Sequence, residues 1–97
     1  MSVQKTEKQI LVINRVKRLR VEKEISQQKL AIILEATNGH IGNIESMKYA
    51  NKYTLKQLNI LASYFKVPIE SFFMSEDEKT LSISEYTNRV CEYLEGE

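Results

Sequence analysis

"SQQKLAIILEATNGHIGNIE", residues 26–45, contains two short helical patterns with almost nothing between them. The first pattern follows Ser26, a good N-cap, and predicts a helix over 27–35. The second follows Thr37, also a good N-cap, and predicts a helix over 38–46. The apolar positions that should face the core are Leu30, Ala31 and Leu34 in the first helix and Ile41 and Ile44 in the second.

The outer face of the second helix has an unusual composition. A surface helix that served stability alone would carry Ala, Glu, Lys and Arg there. Two glycines lower the helix propensity by about 2 kcal/mol relative to two alanines. The composition of this face therefore serves a purpose other than helix stability, or it is what remains of a face that once served such a purpose. Its residues are Asn38, Gly39, His40, Gly42 and Asn43.

The flanking sequence predicts more short helices. Helical spacing of apolar residues indicates one over 7–23, one capped by Thr54 and ending at Phe65, and a short one over 69–73. Three glycines and one proline in 97 residues also favour helices over a turn-rich β fold. We therefore expect one compact, all-α domain of five short helices over residues 1–74.

Residues 75–97 add an acidic linker and an amphipathic C-terminal helix. Ser82 and Glu85 have the spacing of a capping box. The apolar stripe of this helix is expected either to pack on the domain, to form a dimer seam or to hold a partner protein. Cys91 is expected to be a small buried or half-buried residue. The stripe consists of Ile83, Tyr86, Val90 and Leu94.

The net charge of +1 conceals an asymmetry. Residues 1–74 carry twelve Lys and Arg against six Asp and Glu, a balance of +6, whereas residues 75–97 carry two against seven, a balance of −5. A basic body with an acidic tail points towards a polyanionic partner, although solvated faces also vary in charge by chance. The acidic residues 76–78 are either solvated or an internal DNA mimic lying over the basic face.

The composition argues against several other classes of protein. With one cysteine, Cys91, and one histidine, His40, the chain has no partners for a disulfide, a Cys/His metal site or a catalytic pair that is close in sequence. We expect no enzymatic activity, no cofactor and no metal. The longest early apolar run, residues 10–13, is too short for a signal peptide or a membrane span, so a cytoplasmic protein is expected.

Three segments together resemble the helix-turn-helix domains of the Cro and phage-repressor type, the XRE-like or lambda-repressor-like family. They are "RVKRLRVEKEISQQKLA" (15–31), "HIGNIE" (40–45) and "LKQLNILASYFKVPIESFF" (55–73). The resemblance covers roughly residues 14–73. It implies sequence-specific binding of double-stranded DNA, commonly as a dimeric repressor, with helix 38–46 in the major groove.

The resemblance also assigns roles to individual residues. Gln27 corresponds to a glutamine whose amide contacts a DNA phosphate. Arg20 and Glu45 correspond to an ion pair that joins the first helix to the third. Asn can bind adenine through N6 and N7, so Asn38 and Asn43 are the best candidates for reading bases. The full set of candidate base contacts is Asn38, Gly39, His40 and Asn43, and that of candidate phosphate contacts is Gln27, Gln28, Lys48, Tyr49, Asn51, Lys52 and Tyr53.

Two departures from the family pattern leave a second interpretation open. Glu35 occupies the turn position where many members have Gly, a position that often needs a positive φ. Gly39 stands where many members carry a long base-reading side chain. The glycines let the helix approach DNA closely, or they mark a degenerate recognition helix. In the second case the chain is a protein-interaction or antitoxin-like adaptor that uses the same fold.

Overall fold

The computed structural model describes residues 5–95, and every regular element in that range is a helix. None of these helices is long and apolar enough to cross a membrane. Residues 1–4 and 96–97, the ends of the two predicted segments, lie outside the described residues. The elements are α1 (Glu7–Glu22), α2 (Gln27–Leu34), α3 (Asn38–Glu45), α4 (Leu55–Phe65), a 3-10 helix (Ile69–Phe73) and α5 (Ile83–Glu95).

The helices begin where short polar side chains cap them. Ser26 and Thr37 accept hydrogen bonds from the N–H groups of Lys29 and His40, at 3.0 Å each. These bonds satisfy N–H groups that a helix N-terminus leaves without a backbone acceptor. The structure confirms the predicted caps. They can be predicted from the sequence because a cap acts on residues only a few positions away. Complete capping boxes join Thr6 with Gln9, Thr54 with Gln57, and Ser82 with Glu85.

Two helices end at a residue in the left-handed conformation. Glu35 follows α2 with φ 56°, and Lys66 follows α4 with φ 61°. After Glu35 the chain turns at once, and the N–H of Ala36 donates to the carbonyl of Ala31 at 2.8 Å. The expected positive φ at position 35 is therefore present, although the side chain is not glycine. A non-glycine residue in this conformation is strained by about 1–2 kcal/mol.

The core lies between α1 and the helices that surround it. Ile13 and Val16 of α1 are fully buried, as are Leu58 and Leu61 of α4. The inner face of α3 is also completely enclosed, since Ile41 and Ile44 have no exposed surface. This packing holds the eight-residue α3 against the domain by one side and leaves its other side outward.

The C-terminal helix α5 packs on the same core. Tyr93 is fully buried, and its hydroxyl donates to the carbonyl of Tyr53 at 2.7 Å. The Gln9 amide donates to the carbonyl of Tyr93 at 3.0 Å. The ring of Phe73 meets those of Tyr86 and Tyr93 edge to face, with centroids 5.7 and 5.8 Å apart. Of the three predicted roles of the tail, packing on the domain is therefore realised.

The face by which α5 packs differs from the predicted stripe. Tyr86 and Val90 lie against the core as expected, but Ile83 is 85% and Leu94 42% exposed. The helix is turned so that Tyr93, which the prediction omitted, faces inward. Cys91 lies two residues from Tyr93 and hence on the other side of the helix. The prediction that Cys91 is buried or half-buried is wrong, because its side chain is exposed.

The acidic linker lies along α1 and α5. Glu76 pairs with Arg18 at 2.6 Å, and Glu78 forms a bidentate pair with Arg89 at 2.6 Å. The hydrogen bonds from Arg89 lower the pKa of Glu78 to about 2. Both carboxylates are thus directed at cations of α1 and α5, whereas the DNA-mimic alternative requires them to face α3.

The strained helix ends predict opposite effects of glycine at two lysines of the same region. Lys66→Gly should raise the free energy of unfolding by about 1 kcal/mol, because glycine adopts a positive φ without strain. Lys56→Gly, at an exposed position within α4, should lower it by about 1 kcal/mol. Glu35→Gly should behave like Lys66→Gly. Urea denaturation measures all three, and a loss of stability in Lys66→Gly and Glu35→Gly would contradict the assignment of strain.

Candidate nucleic-acid interface

A buried ion pair joins α1 to α3 beneath the outer face of α3. The Nε and Nη2 groups of Arg20 donate to the two carboxylate oxygens of Glu45 at 2.8 and 2.9 Å. The Glu45 side chain is only 3% exposed. The Nη1 group of Arg20 donates to the carbonyl of Ile25 at 2.8 Å, so the short segment between α1 and α2 is held as well. The pair that the family resemblance implies is therefore present, with bidentate geometry.

Gln27 completes this polar cluster. Its Nε2 group donates to a Glu45 oxygen at 2.9 Å, which ties the N-terminus of α2 to the end of α3. A Cβ atom added at Gly42 would lie 3.7 Å from the Gln27 Oε1 atom. The N-terminus of α2 therefore lies beside the outer face of α3. One amide hydrogen of Gln27 is engaged by Glu45, and an amide carries a second one for another acceptor.

The outer face of α3 is open. Asn38 and Gly39 are exposed, and His40 and Asn43 are half-buried. A Cβ atom at Gly39 would meet no other atom within 4 Å, and neither Gly39 nor Gly42 has a positive φ. The protein itself therefore has no steric or conformational need for glycine at position 39. A reason for it must be sought in what approaches this face.

Two helix N-termini supply N–H groups near this face. The first residues of a helix have no backbone acceptor one turn earlier, and their N–H groups carry a partial positive charge. In α2 these residues are Gln27 and Gln28, and in α3 they are Asn38 and Gly39. Such groups bind anions well, and phosphate is a frequent occupant of helix N-termini.

The loop that follows α3 is basic and partly exposed. Lys48 and Tyr49 are exposed, whereas Asn51 and Lys52 are half-buried. Between residues 26 and 54 the acidic residues are Glu35 and Glu45, and the latter is neutralised by Arg20. The loop thus offers the exposed Lys48 and the half-buried Lys52, and within residues 26–54 the one carboxylate outside the Arg20–Glu45 pair is that of Glu35.

Tyr53 is the one candidate phosphate contact that the structure contradicts. It is fully buried, and its pKa is raised by burial and by the nearby Glu45 carboxylate. Tyr53 immediately precedes the N-cap Thr54, where an apolar residue often packs against the fourth residue of the helix, here Leu58. Both side chains belong to the core. Tyr53 therefore fixes the start of α4 and cannot reach a phosphate.

Lys5 belongs to this region, although no pattern in the sequence indicates it. Its side chain is buried, and the Nζ group donates to the carbonyls of Asn43, at 3.3 Å, and of Ser46 and Tyr49. Burial lowers the pKa of Lys5 below its ordinary value. A lysine next to a helix start is usually solvated, and only the folded chain brings it to the end of α3.

Comparisons with protein-family models, with curated proteins and with solved structures found no match for this chain.

The buried pair predicts a large difference between two arginines of α1. Arg20→Leu should lower the free energy of unfolding by about 3–5 kcal/mol, because it leaves the buried Glu45 carboxylate without its cation. Arg18→Leu, which removes the exposed pair with Glu76, should cost less than about 1 kcal/mol. Chemical denaturation of both variants provides the comparison. Similar losses would show that the Arg20–Glu45 pair is not energetically distinct from a surface pair.

Proposed function

We propose that this protein binds double-stranded DNA sequence-specifically and regulates transcription, most simply as a repressor, by inserting α3 into the major groove. The observation that carries the proposal is the two-sidedness of α3. Its inner face is sealed by Ile41, Ile44 and the paired Glu45, whereas its outer face is open and lined by amide, imidazole and glycine groups. A protruding helix with neutral hydrogen-bonding groups suits the edges of base pairs.

In this proposal the outer face of α3 reads the bases. The side-chain amides of Asn38 and Asn43 can each offer a donor and an acceptor to the N7 and N6 groups of adenine. His40 adds a group that can reach either a base edge or a phosphate. Gly39, which the protein does not need for its own packing, allows the helix axis to approach the floor of the groove.

The surroundings of α3 hold the DNA backbone. The start of α2, where Gln27 lies beside Gly42 and Glu45, supplies N–H groups of Gln27 and Gln28 to a phosphate, and the second amide hydrogen of Gln27 remains for the same use. The loop that follows α3 offers Lys48, Tyr49, Asn51 and Lys52. Contacts of this kind set the position and orientation of the protein and carry no sequence information themselves.

A homodimer is part of the proposal. Two copies related by a two-fold axis place their recognition helices about one turn of DNA apart, and so read a palindrome. Ile83 and Leu94 lie on the side of α5 that the domain leaves exposed, and are available for contacts between copies. A regulator of this kind works where the DNA is, which agrees with the cytoplasmic location expected from the sequence.

The adaptor remains a second candidate, and one observation favours it. Gly39 has no side chain with which to read a base and no packing role in the domain, as expected of a helix that no longer reads DNA. An adaptor should show no preference among duplexes and should lose its partner when α5 is truncated. A DNA-binding regulator should prefer particular duplexes and should lose this preference when the outer face of α3 is substituted.

Selection from a randomised duplex pool tests the proposed function. The protein is incubated with the pool at two salt concentrations, and the bound DNA is recovered and sequenced. Enrichment of a roughly palindromic motif is the expected result. Binding that disappears as salt rises and enriches no motif would leave only attraction between a basic surface and phosphates, and would reject the proposal.

Two single substitutions should separate base reading from phosphate binding. Asn43→Ala should weaken binding to the selected duplex by about 1–3 kcal/mol and relax one base position. Lys52→Ala should weaken binding to every duplex alike. It should also lower the slope of the logarithm of the binding constant against that of the salt concentration by about one unit. Fluorescence anisotropy with selected and scrambled duplexes measures both. Unchanged binding by both variants would rule out this surface as the interface.

Gly39→Ala should have opposite effects on stability and on DNA binding. The added methyl group meets nothing in the free protein, so helix propensity should raise the free energy of unfolding by about 0.5–1 kcal/mol. The same methyl group should weaken binding to the selected duplex if the helix approaches DNA closely. Ser63→Ala, in an exposed position of α4, is the matched control and should leave DNA binding unchanged. If Gly39→Ala binds as well as the unmodified protein, close approach at this position is excluded.

A further inference from the structure

Lys5 is an unusual residue for its place in the chain. It precedes the first helix and yet exposes only 2% of its surface, although lysine is rarely buried to this extent. Its three acceptors are neutral backbone carbonyls, those of Asn43, Ser46 and Tyr49. All three lie about 40 residues away in sequence, at the end of α3 and in the loop that follows. The ammonium group thus links the N-terminal segment to the end of α3 and the loop that follows it.

These acceptors lie where the chain leaves α3. The last carbonyls of a helix have no partner within the helix, and a cation there also interacts favourably with the helix dipole. Ser46 has left the helical conformation, with φ −85° and ψ 139°, and so redirects the chain. By holding carbonyls before, at and after this bend, Lys5 fixes the direction in which Lys48 and Tyr49 leave the helix.

We propose that Lys5 is a positioning residue for the DNA-binding surface. It holds the base-facing Asn43 and the phosphate-facing loop from Lys48 onward in one fixed relation, without touching DNA itself. This inference rests on the proposed function and deepens it. It names the residue that keeps the base contacts of α3 and the phosphate contacts of the loop in one fixed spatial relation. Without this bridge the loop can bind phosphates while α3 sits out of register with the bases.

A purely stabilising role for Lys5 leads to a different expectation. In that case its loss lowers the melting temperature but leaves the folded molecules able to discriminate between duplexes. A positioning role requires discrimination to fall even at a temperature where the variant is fully folded. The informative quantity is therefore the ratio of the dissociation constants for a scrambled duplex and for the duplex recovered by selection.

The test compares Lys5→Met with two controls in the full chain. Methionine matches the stem of lysine in shape and leaves the three carbonyls without their donor. Lys8→Met removes the same charge from an exposed position three residues away, where the ammonium group lies 3.8 Å from Glu92. Arg15→Met removes another cation that donates to backbone carbonyls, those of Ser71 and Met74 at 3.3 and 2.7 Å, and so supplies a loss of stability at the 3-10 helix and not at α3.

Lys5→Met should lose about tenfold in the discrimination ratio, the size of one impaired base contact, while both controls keep the ratio of the unmodified protein. A Lys5→Met ratio equal to that of the controls would overturn the inference. Hydrogen exchange at the Ser46 amide, which donates to Gly42 at 3.0 Å, provides a reading that needs no DNA. It should accelerate in Lys5→Met relative to the amides of α4, and unchanged exchange would also reject the proposal.

The two proposals can fail separately. If the unmodified protein does not discriminate between duplexes, the proposed function is rejected, and the exchange measurement alone decides whether Lys5 fixes the end of α3. If the unmodified protein discriminates and Lys5→Met does so equally well, DNA binding stands and the positioning role of Lys5 is rejected.

Discussion

The buried carboxylate of Glu45 constrains the arrangement of the first three helices. An ionised carboxylate with a 3% exposed side chain is costly unless it is paired and hydrogen-bonded. Arg20 of α1 supplies two hydrogen bonds and Gln27 of α2 supplies one, so each helix must stand at a set distance and angle from α3. The side chains that satisfy Glu45 thereby decide which side of α3 is turned outward.

The weakness of α3 as a helix follows from the same arrangement. Its two glycines disfavour the helical state, and an isolated helix of eight residues would not persist in water. A local cap and two tertiary contacts compensate, since Thr37 caps its start, Ile41 and Ile44 bury its inner face, and Lys5 holds its end. The outer face is therefore free to carry residues chosen for another purpose, which we propose to be the reading of DNA bases.

The features that the sequence predicted correctly depend on near neighbours. Caps such as Ser26 and Thr37 act on residues three positions away, and the positive φ of Glu35 follows from a tight turn between two close helices. The Arg20–Glu45 pair was expected from a resemblance and not from spacing. Features that depend on distant partners were missed or wrong. The rotation of α5 against the core decides that Tyr93 is buried and Cys91 exposed, and packing at the start of α4 buries Tyr53. The anchoring of Lys5 depends on a contact across about 40 residues. The base contacts remain a prediction.

Amide chemical-shift mapping during titration with the selected duplex locates the DNA-binding surface without any substitution. We expect the shifts and line broadening to concentrate in three segments, the start of α2 at 26–28, the outer face of α3 at 38–43 and the loop at 46–52. The amides of the outer side of α5 should change only in so far as dimerisation accompanies binding. Changes confined to α1 or α5, with α3 unaffected, would contradict the claim that α3 is the recognition helix.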